Sequence, residues 1–272
     1  MEVSQIMIEA TTIDKDERLS HALDVLEKKG VDRLVVIQDG KLRGILTYAD
    51  ITDRLSVSKV VELSIKRLHV SSAMSDTVIT VLPTDDVTEV AQLMIERGMS
   101  GCPVVDEDGE IIGVITKGEI SRLVEKFDDV KVKELMSTED ILQANPVARL
   151  IKARMDMLDA GYSGLPVTDA GRVLGLLTER MVAETMARFT VEVPDKHRAN
   201  QVRQIRVVDA MLKQPPLVSP DESIGEVAKT MLESNLNTLP VVGEGNRIVG
   251  MISATDLTRF VANKFKVPSD TE

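Results

Sequence analysis

Four short segments, each beginning with glycine, recur along the chain in nearly the same form. They read GILTYAD at Gly44–Asp50, GVITKGE at Gly113–Glu119, GLLTERM at Gly175–Met181 and GMISATD at Gly250–Asp256. Successive copies stand roughly 60–75 residues apart, an interval too long and too irregular for a stacked solenoid. The sequence therefore predicts four copies of one compact supersecondary unit.

An amphipathic helix is predicted ahead of the motif. Ile224, Val227, Ala228 and Met231 follow the spacing of an apolar helix face, and the same spacing recurs in the second copy from Val87 onward. The predicted helices stop near residues that accept a left-handed conformation at low cost. These residues are Gly30, Gly98, Gly161 and Asn235.

Two apolar runs joined by a turn come next, and the motif follows the second run. In the first copy the runs are RLVVIQ and KLRGILT, joined by Asp39-Gly40, and Asp-Gly between apolar runs is a strong hairpin signal. A second helix begins inside the motif. Each unit is therefore predicted as strand–helix–strand–strand–helix, which gives an α/β fold. A unit of about 60 residues is marginal alone, so the copies are expected to pair.

Composition limits both the core and the function. Aromatic residues make up 2% of the chain while 43% of residues are hydrophobic, so the core is expected to be aliphatic. The net charge of −11 disfavours general nucleic-acid binding, because a phosphate backbone repels an acidic protein. One cysteine and three histidines do not make a usual zinc cluster, and Cys102 is expected to be a buried core residue in a reducing compartment.

No segment resembles a signal peptide, and no apolar run approaches the ~18–20 residues that span a bilayer. A cytoplasmic protein without membrane contact is therefore expected. A Gly-rich phosphate loop, a Gly-x-Ser-x-Gly elbow and clustered metal ligands are all missing from the sequence. Catalysis has no candidate residues, and an enzyme is the least favoured class.

The apolar-Pro-Val run, the acidic-Gly turn and Gly-x-x-Thr-x-x-Asp together resemble the cystathionine-β-synthase (CBS) domain. The pattern reads GCPVVDEDGEIIGVITKGE, GLPVTDAGRVLGLLTERM and TLPVVGEGNRIVGMISATD. The first copy, DRLVVIQDGKLRGILTYAD, is slightly degenerate. The resemblance covers nearly the whole chain. It implies four CBS repeats paired into two Bateman modules, similar to the γ subunit of AMP-activated protein kinase. A disk-like pseudo-tetramer is expected, within one chain or across a homodimer.

The expected modules divide the chain near its middle. The first covers residues 1–127, with repeats at about 1–56 and 70–127, and the second covers 128–272, with repeats at about 130–189 and 205–265. Connectors at Ser56–Ser75 and Phe189–Arg206 are predicted to join the repeats of each module.

The resemblance also implies a ligand. In the family, clefts between paired repeats bind adenosine-containing molecules. The motif aspartate holds the ribose, nearby hydroxyl groups meet the phosphates, and the backbone of the apolar-Pro-Val strand meets adenine. Asp50 and Asp256 are the candidate ribose anchors. Met181 cannot bind the ribose diol, and Glu119 stands where the motif has aspartate. About one good cleft per module is therefore expected.

The fourth copy carries the stronger candidate site. Its candidates are Leu239, Pro240, Val241, Ser253, Thr255 and Asp256. The first copy lacks a second hydroxyl at Ala49, and Arg33 is expected to compensate by meeting a phosphate. Its candidates are Thr12, Arg33, Leu34, Val35, Thr47 and Asp50. Weaker candidates are Thr80, Cys102, Pro103, Thr116, Glu119, His197 and Arg198. The last two belong to the basic run Lys196–Arg206, whose default interpretation is a solvated linker; the alternative is that His197 or Arg198 folds over a cleft and meets phosphates.

The motif also has an explanation that needs no ligand. A Ser or Thr at a helix N-cap, with an acid three residues later, forms a capping box that stabilises the helix by about 1 kcal/mol. Glu119 suits this role better than it suits ribose binding. A helix N-terminus also attracts phosphate, so capping and binding are compatible with one geometry.

The predicted function is a non-catalytic sensor that binds AMP, ADP or ATP as a regulatory ligand and passes its state to an unidentified partner protein. No cofactor is required. One alternative ligand is S-adenosylmethionine or another adenosyl compound. Another alternative is a structural or interaction scaffold with empty clefts. A DNA-linked regulator is disfavoured by the negative charge.

Overall fold

The computed structural model describes residues 1–56 and 64–265. The strands in these ranges are β1 Thr12–Asp14, β2 Arg33–Gln38, β3 Lys41–Thr47, β4 Gly101–Val105, β5 Ile111–Thr116, β6 Gly164–Asp169, β7 Arg172–Thr178, β8 Leu212–Lys213, β9 Thr238–Val242 and β10 Ile248–Ser253. The α-helices are α1 Leu19–Lys29, α2 Tyr48–Ser56, α3 Val87–Glu96, α4 Lys117–Arg122, α5 Leu150–Ala160, α6 Glu179–Glu192, α7 Asp195–Gln201, α8 Val207–Ala210, α9 Ile224–Ser234 and α10 Ala254–Lys264. None of the helices in these two ranges is both long and apolar enough to cross a membrane.

The elements repeat in the predicted order. In the first copy β1 runs parallel to β2, and β2 pairs antiparallel with β3 before α2 begins. The other copies keep the antiparallel hairpin, as β4–β5, β6–β7 and β9–β10. They replace β1 by one parallel bridge, which joins Val81 to Val104, Ala144 to Val167 and Val218 to Val241. The predicted α/β repeat is confirmed. Repeats 1 to 4 are the copies that end in α2, α4, α6 and α10.

The local signals for helix ends and turns are also confirmed. Helices α1, α5 and α9 each close on a left-handed residue with φ between 51° and 67°. These residues are Gly30, Gly161 and Asn235. At the first hairpin, Asp39 and Gly40 have φ of 52° and 77°, and a tight two-residue turn needs two such positive values.

The outer edge of each hairpin is completed by a segment that leads into another repeat. In repeat 1, Ile45 pairs with Ser75, which precedes repeat 2, and in repeat 2 the N-terminal Ile8 pairs with Val114. Repeats 3 and 4 exchange segments in the same way, through β7–β8 and through the bridge between Met251 and Ser137. Hydrogen-bonded sheets therefore link repeat 1 to repeat 2 and repeat 3 to repeat 4.

The glycine that opens each motif has no side chain, so the edge segment can pack directly against the hairpin backbone. A Cβ atom on Gly44 would lie 2.6 Å from the carbonyl oxygen of Ser75. Each opening glycine also faces a methionine, in the pairs Gly44–Met74, Gly113–Met7, Gly175–Met211 and Gly250–Met136. Four residues before each methionine stands a fully buried valine, namely Val3, Val70, Val132 or Val207. This recurrent Val-x-x-x-Met segment was not predicted from the sequence.

Helices join the two sheet-linked pairs to each other. Helix α2 packs against α6, while α10 packs against α3 and α4. One buried cluster accordingly combines repeats 1 and 3 and includes Ile51 and Met157. A second combines repeats 2 and 4 and includes Met94 and Leu257. The four repeats therefore close into a ring in the order 1–2–4–3, with the aliphatic core that the composition predicted.

The predicted connectors contain short helices where the structure describes them. Residues 57–63 of the connector Ser56–Ser75 lie outside the described residues, and the rest includes 3-10 turns at Ile65–Arg67 and Val70–Ser72. The connector Phe189–Arg206 contains the end of α6, then α7 and a 3-10 turn. The proposed division into residues 1–127 and 128–272 stays a prediction.

Candidate functional site

A cavity of about 740 Å³ lies where the four repeats meet. Each repeat contributes to its wall the first residue of its second helix. These residues are Tyr48 of α2, Lys117 of α4, Glu179 of α6 and Ala254 of α10, and we refer to them as the first-turn residues. The longer helices α2, α6 and α10 thus begin at the cavity, and a helix N-terminus carries unpaired amides and partial positive charge.

The capping interpretation of the motif is present in repeats 1 and 4. The Oδ2 atom of Asp256 accepts hydrogen bonds from the Ser253 backbone amide at 2.9 Å and from the Ser253 hydroxyl at 2.6 Å. Asp50 accepts the same two bonds from Thr47, at 2.7 Å and 2.6 Å. In both residues the Oδ1 atom is left for another partner.

That partner differs between the two aspartates. In Asp256 it is the guanidinium of Arg259 at 3.0 Å, and in Asp50 it is the hydroxyl of Ser75 at 3.1 Å. Asp256 lines a second cavity of about 360 Å³, together with Arg259. The lining of the central cavity instead includes the hydroxyl residues Thr47 and Thr255. Neighbouring residues of one motif therefore face two different spaces.

The motifs of repeats 2 and 3 act as helix caps. Glu119 is buried and accepts a hydrogen bond from the Thr116 hydroxyl, which in turn accepts one from the Gly118 amide at 3.1 Å. In repeat 3 the Thr178 hydroxyl accepts a bond from the Met181 amide at 3.5 Å. Repeat 3 keeps the cap but has no acid at the third helical position.

Arg33 lies at the boundary between repeats 1 and 2. Its buried guanidinium bonds both oxygens of Asp32, at 2.9 Å and 3.1 Å, and donates to the Ser100 hydroxyl at 3.0 Å. It also packs against Gly101, where a side chain would collide with it. Arg33 was predicted to belong to the same site as Asp50, whereas its guanidinium faces Ser100 and Gly101 of repeat 2.

Lys117 joins repeats 2 and 4 across the cavity. Its ammonium donates a hydrogen bond to the Thr255 hydroxyl at 3.0 Å. Burial and the nearby charges of Arg259 and Arg33 lower the pKa of Lys117, and Asp256 opposes them. Within the described residues, no carboxylate forms a salt bridge with Lys117. Arg33 is paired with Asp32 and Arg259 with Asp256, so Lys117 supplies the charge without a salt-bridge partner; we refer to Lys117 and Arg33 as the cationic end of the cavity.

The opposite end, formed by repeats 1 and 3, is acidic. Burial raises the pKa of Glu179 to about 7, Arg154 lowers it and Asp50 adds to the rise. Arg154 of α5 is 5% exposed and forms an ion pair with Asp53 of α2. Its Nε atom has no hydrogen-bond partner among residues 1–56 and 64–265. A buried arginine therefore stands near a half-buried carboxyl at the junction of α2, α5 and α6.

Tyr48 and Arg180 occupy the same end of the cavity. The Tyr48 hydroxyl is buried without a hydrogen-bond partner in the described part of the chain, and burial raises its pKa to about 12. Arg180 lies over the Tyr48 ring at 6.0 Å and pairs with Glu184 at 2.7 Å. The Arg180 charge is thus already balanced by a carboxylate.

The strand candidates are buried in the sheets. Those with side chains almost fully inaccessible are Leu34, Val35, Cys102, Leu239 and Val241, and Pro103 and Pro240 are also buried. Their backbone groups are partly engaged, since the Val35 amide donates to the Thr11 carbonyl at 2.9 Å and the Pro240 carbonyl accepts from the Val218 amide at 3.1 Å. Burial raises the pKa of the Cys102 thiol to about 11, as befits a core residue.

The remaining candidates stand apart from the lining of the central cavity. Thr12 and Thr80 are exposed, and Thr12 pairs with Val35 in the sheet. His197 is exposed on α7. Arg198 is buried, pairs with Asp195 at 2.8 Å and donates to the Val193 carbonyl at 2.6 Å, so it fastens α7 to the end of α6.

Sequence reasoning missed the first-turn residues. They follow the capping residue directly, and the four motif copies carry tyrosine, lysine, glutamate and alanine at this one position. The sequences TKGE and TERM show that Lys117 and Glu179 occupy the same motif position. Neighbouring residues, however, do not indicate that the two side chains line one cavity. Within residues 1–56 and 64–265, no three or more His, Cys, Asp or Glu side chains are grouped to hold a metal ion.

Comparison with known families identifies each repeat. The family described as the CBS domain matches residues 3–57, 70–126, 132–188 and 202–263, one copy of the motif in each. The uncharacterized protein MJ1225 of Methanocaldococcus jannaschii is 24% identical over 266 residues, which cover 92% of this chain and 95% of that protein. An uncharacterized 33.4 kDa protein of Thermofilum pendens is 26% identical over 88% of this chain and 85% of its own length.

Solved structures share the whole arrangement. The crystal structure of MJ1225, proposed as an archaeal homologue of γ-AMPK, superposes with a TM-score of 0.84 at 21% identity and covers 96% of this chain and 99% of its own. An uncharacterized conserved protein from Pyrococcus horikoshii gives a TM-score of 0.63 at 21% identity, over 96% and 100% of the two chains. At this identity the likeness shows the fold.

Proposed function

Because the chain belongs to the CBS domain family, we propose that it is a non-catalytic regulatory protein whose ring of repeats binds an adenine nucleotide, AMP, ADP or ATP. The phosphates lie at the cationic end of the central cavity. The bound state is then passed to a partner protein or a second copy of the chain.

The environment of Lys117 is the observation that supports this proposal most directly. A half-buried ammonium is costly unless an anion is close, because burial removes its water. Here its hydrogen bond goes to the neutral Thr255 hydroxyl, with the cations Arg33 and Arg259 nearby. A phosphate group at this point supplies the missing negative charge. It can accept hydrogen bonds from Lys117 of repeat 2 and from Thr255 of repeat 4.

The nucleoside belongs at the motif of repeat 4 in this proposal. Asp256 accepts the ribose hydroxyls through Oδ1, in exchange for its present bond to Arg259. Asp256 lines the second cavity and the adjacent Thr255 lines the central one, so the proposed ligand runs from its ribose in the second cavity, across the first turn of α10, to its phosphate beside Lys117. The backbone of Leu239–Val241 lies on the adenine side, and Asp50 with Thr47 forms the second, weaker anchor.

Such a ligand acts by shifting a population of arrangements. It contacts repeat 4 through Asp256 and repeat 2 through Lys117, and these repeats meet through the packing of α10 on α4. Its affinity therefore depends on the relative orientation of repeats 2 and 4, so binding favours one orientation. A partner protein would recognise the surface that this orientation exposes.

The direct test is a thermal-shift and calorimetric screen with AMP, ADP, ATP, adenosine and S-adenosylmethionine. A ligand about 100-fold above its dissociation constant adds about 2.7 kcal/mol, and at ~2–4 °C per kcal/mol that raises Tm by roughly 5–11 °C. Lys117→Met is expected to weaken nucleotide binding about 10- to 100-fold, the value of a hydrogen bond to a charged group. The matched control is Lys28→Met on the exposed face of α1.

Each rival predicts another outcome. If S-adenosylmethionine binds more tightly than the nucleotides and Lys117→Met has no effect, the adenosyl-ligand alternative holds. If no adenosyl compound raises Tm, the aspartates serve only as caps and the chain is a scaffold.

A further inference from the structure

Lys117 and Glu179 occupy the same structural place in repeats 2 and 3. Each follows a threonine cap, and each donates its backbone amide to the serine before the hairpin, Lys117 to the Ser100 carbonyl at 3.0 Å and Glu179 to the Ser163 carbonyl at 3.2 Å. Both line the cavity. One position therefore carries a positive charge in one repeat and a carboxyl in another, within a single space.

The charged residues near Lys117 and near Glu179 also differ between the two ends of the cavity. Lys117 lies near Arg33, which is paired with Asp32, and near Arg259, which is paired with Asp256. At the other end, the Arg180 guanidinium is already paired with Glu184. Among the described residues that line the cavity, the charged groups left without a salt-bridge partner are therefore the Lys117 ammonium where repeats 2 and 4 meet and the Glu179 carboxyl where repeats 1 and 3 meet, so an anion is favoured at the Lys117 end.

The charged groups around Glu179 come from three helices. Helix α5 supplies Arg154, which favours the carboxylate and is itself paired with Asp53 of α2. Helix α2 also supplies Asp50, which repels the carboxylate. On α6 itself, the neighbours are Arg180 and Glu184, which balance each other. Burial and Asp50 outweigh Arg154, and they bring the pKa of Glu179 to about 7.

We propose that Glu179 is the specificity-determining residue of this cavity. It confines the anionic group of a ligand to the Lys117 end, and the cavity holds that group more tightly when the Glu179 carboxyl carries a proton. The inference rests on the proposed function, because it concerns the same ligand. It adds that the affinity of the chain for its ligand depends on pH near neutrality.

The physical basis is linkage between proton and ligand. A phosphate in the cavity adds negative charge that repels the Glu179 carboxylate, and this favours the protonated carboxyl. Binding therefore takes up a proton, and affinity falls as pH rises through 7. Adenosine carries no phosphate and is expected to lack this pH dependence.

The experiment measures affinity for AMP and ATP, with adenosine as the uncharged probe, at about pH 6 and about pH 8 in the wild type and Glu179→Gln. The exposed Glu192→Gln at the end of α6 is the control. The second ionisation of the phosphate, near pH 6, affects every variant alike and cancels in the ratio of their affinities.

At about pH 6 the Glu179→Gln chain and the wild type are expected to bind AMP equally. At about pH 8 the variant binds about five- to tenfold more tightly, the effect of one group that must gain a proton. Calorimetry in two buffers of different ionisation enthalpy should record proton uptake in the wild type and none from this source in the variant. Glu192→Gln should follow the wild type.

If the wild type and Glu179→Gln keep the same affinity ratio for AMP at both pH values, the inference is wrong while the proposed function stands. If adenosine shows the same dependence as AMP, Glu179 acts on the fold and not on ligand charge, and the inference is again wrong. If no nucleotide and no inorganic pyrophosphate binds at either pH, both proposals fail together.

Discussion

The guanidinium of Arg33 rests against Gly101, the residue that stands at its own position in the next repeat. Arg33 opens β2 opposite the cap Thr47, and Gly101 opens β4 opposite the cap Thr116. The other sheet pair repeats the arrangement with Thr238 packed on Gly164. At the boundary of each pair, one repeat supplies a side chain and the other supplies the space for it.

Gly101→Ala should therefore displace Arg33 from Ser100. Overpacking of this kind costs about 1–3 kcal/mol, and the free energy of unfolding in urea measures it. An Arg33→Ala background removes the clash with the guanidinium but keeps the close approach to the Ile115 carbonyl oxygen at 2.7 Å, so the same substitution should cost less there than in the wild type. Additive effects in this double-mutant cycle would contradict the packing described here.

Asp256→Ala and Asp50→Ala separate capping from ligand binding. Each removes a capping box and is expected to lower the free energy of unfolding by about 0.5–2 kcal/mol. If Asp256 is also the better ribose anchor, its loss reduces adenosine affinity more than the loss of Asp50 does, at equal capping cost. Calorimetric titration of both variants checks the ranking, and a larger loss at Asp50 would reverse it.

Glu179 makes stability fall as pH rises. Its pKa lies at about 7 in the folded chain against an ordinary value of 4.5, so the folded state holds the proton more tightly than the unfolded state does. This contribution is fully present below the ordinary value and is lost as pH rises through about 7. It amounts to at most about 3 kcal/mol. In urea unfolding between about pH 5 and pH 8, Glu179→Gln should remove this part of the dependence.

Arg154→Met should raise the pKa of Glu179 above its present value of about 7, because the arginine charge opposes the rise. The carboxyl carbon resonance of Glu179, followed by NMR across the pH range, reports this directly. Lys152→Met on the same helix removes an exposed ion pair with Asp156 and serves as the control. An unchanged Glu179 titration in Arg154→Met would show that the two groups are not coupled.

Local sequence signals were sufficient for the repeat itself. Gly30, Gly161 and Asn235 end helices because they adopt φ > 0 cheaply, and Asp39-Gly40 makes a tight turn for the same reason. The capping roles of Thr47 and Ser253 also follow from adjacent residues. Such features depend on neighbours within a few positions, which a single sequence displays.

The cavity depends on contacts that adjacent residues do not reveal. Lys117 meets Thr255 across 138 positions of sequence, and Arg33 meets Ser100 across 67. Both contacts exist because sheets and helices close the four repeats into a ring, which repeat spacing alone does not determine. For the same reason the direction of Arg33 and the convergence of the first-turn residues were beyond sequence reasoning.

The exchanged edge segments have a consequence for the order in which the chain is made. Val3 and Ile8 are synthesised well before their partners Asp85 and Val114, which lie in repeat 2. The apolar side chains of residues 3–8 therefore stay unburied until about a hundred more residues have been synthesised. Ser75 completes the edge of repeat 1 before repeat 2 exists. During synthesis, repeat 1 can close its sheet early, while the N-terminal residues close the sheet of repeat 2 last.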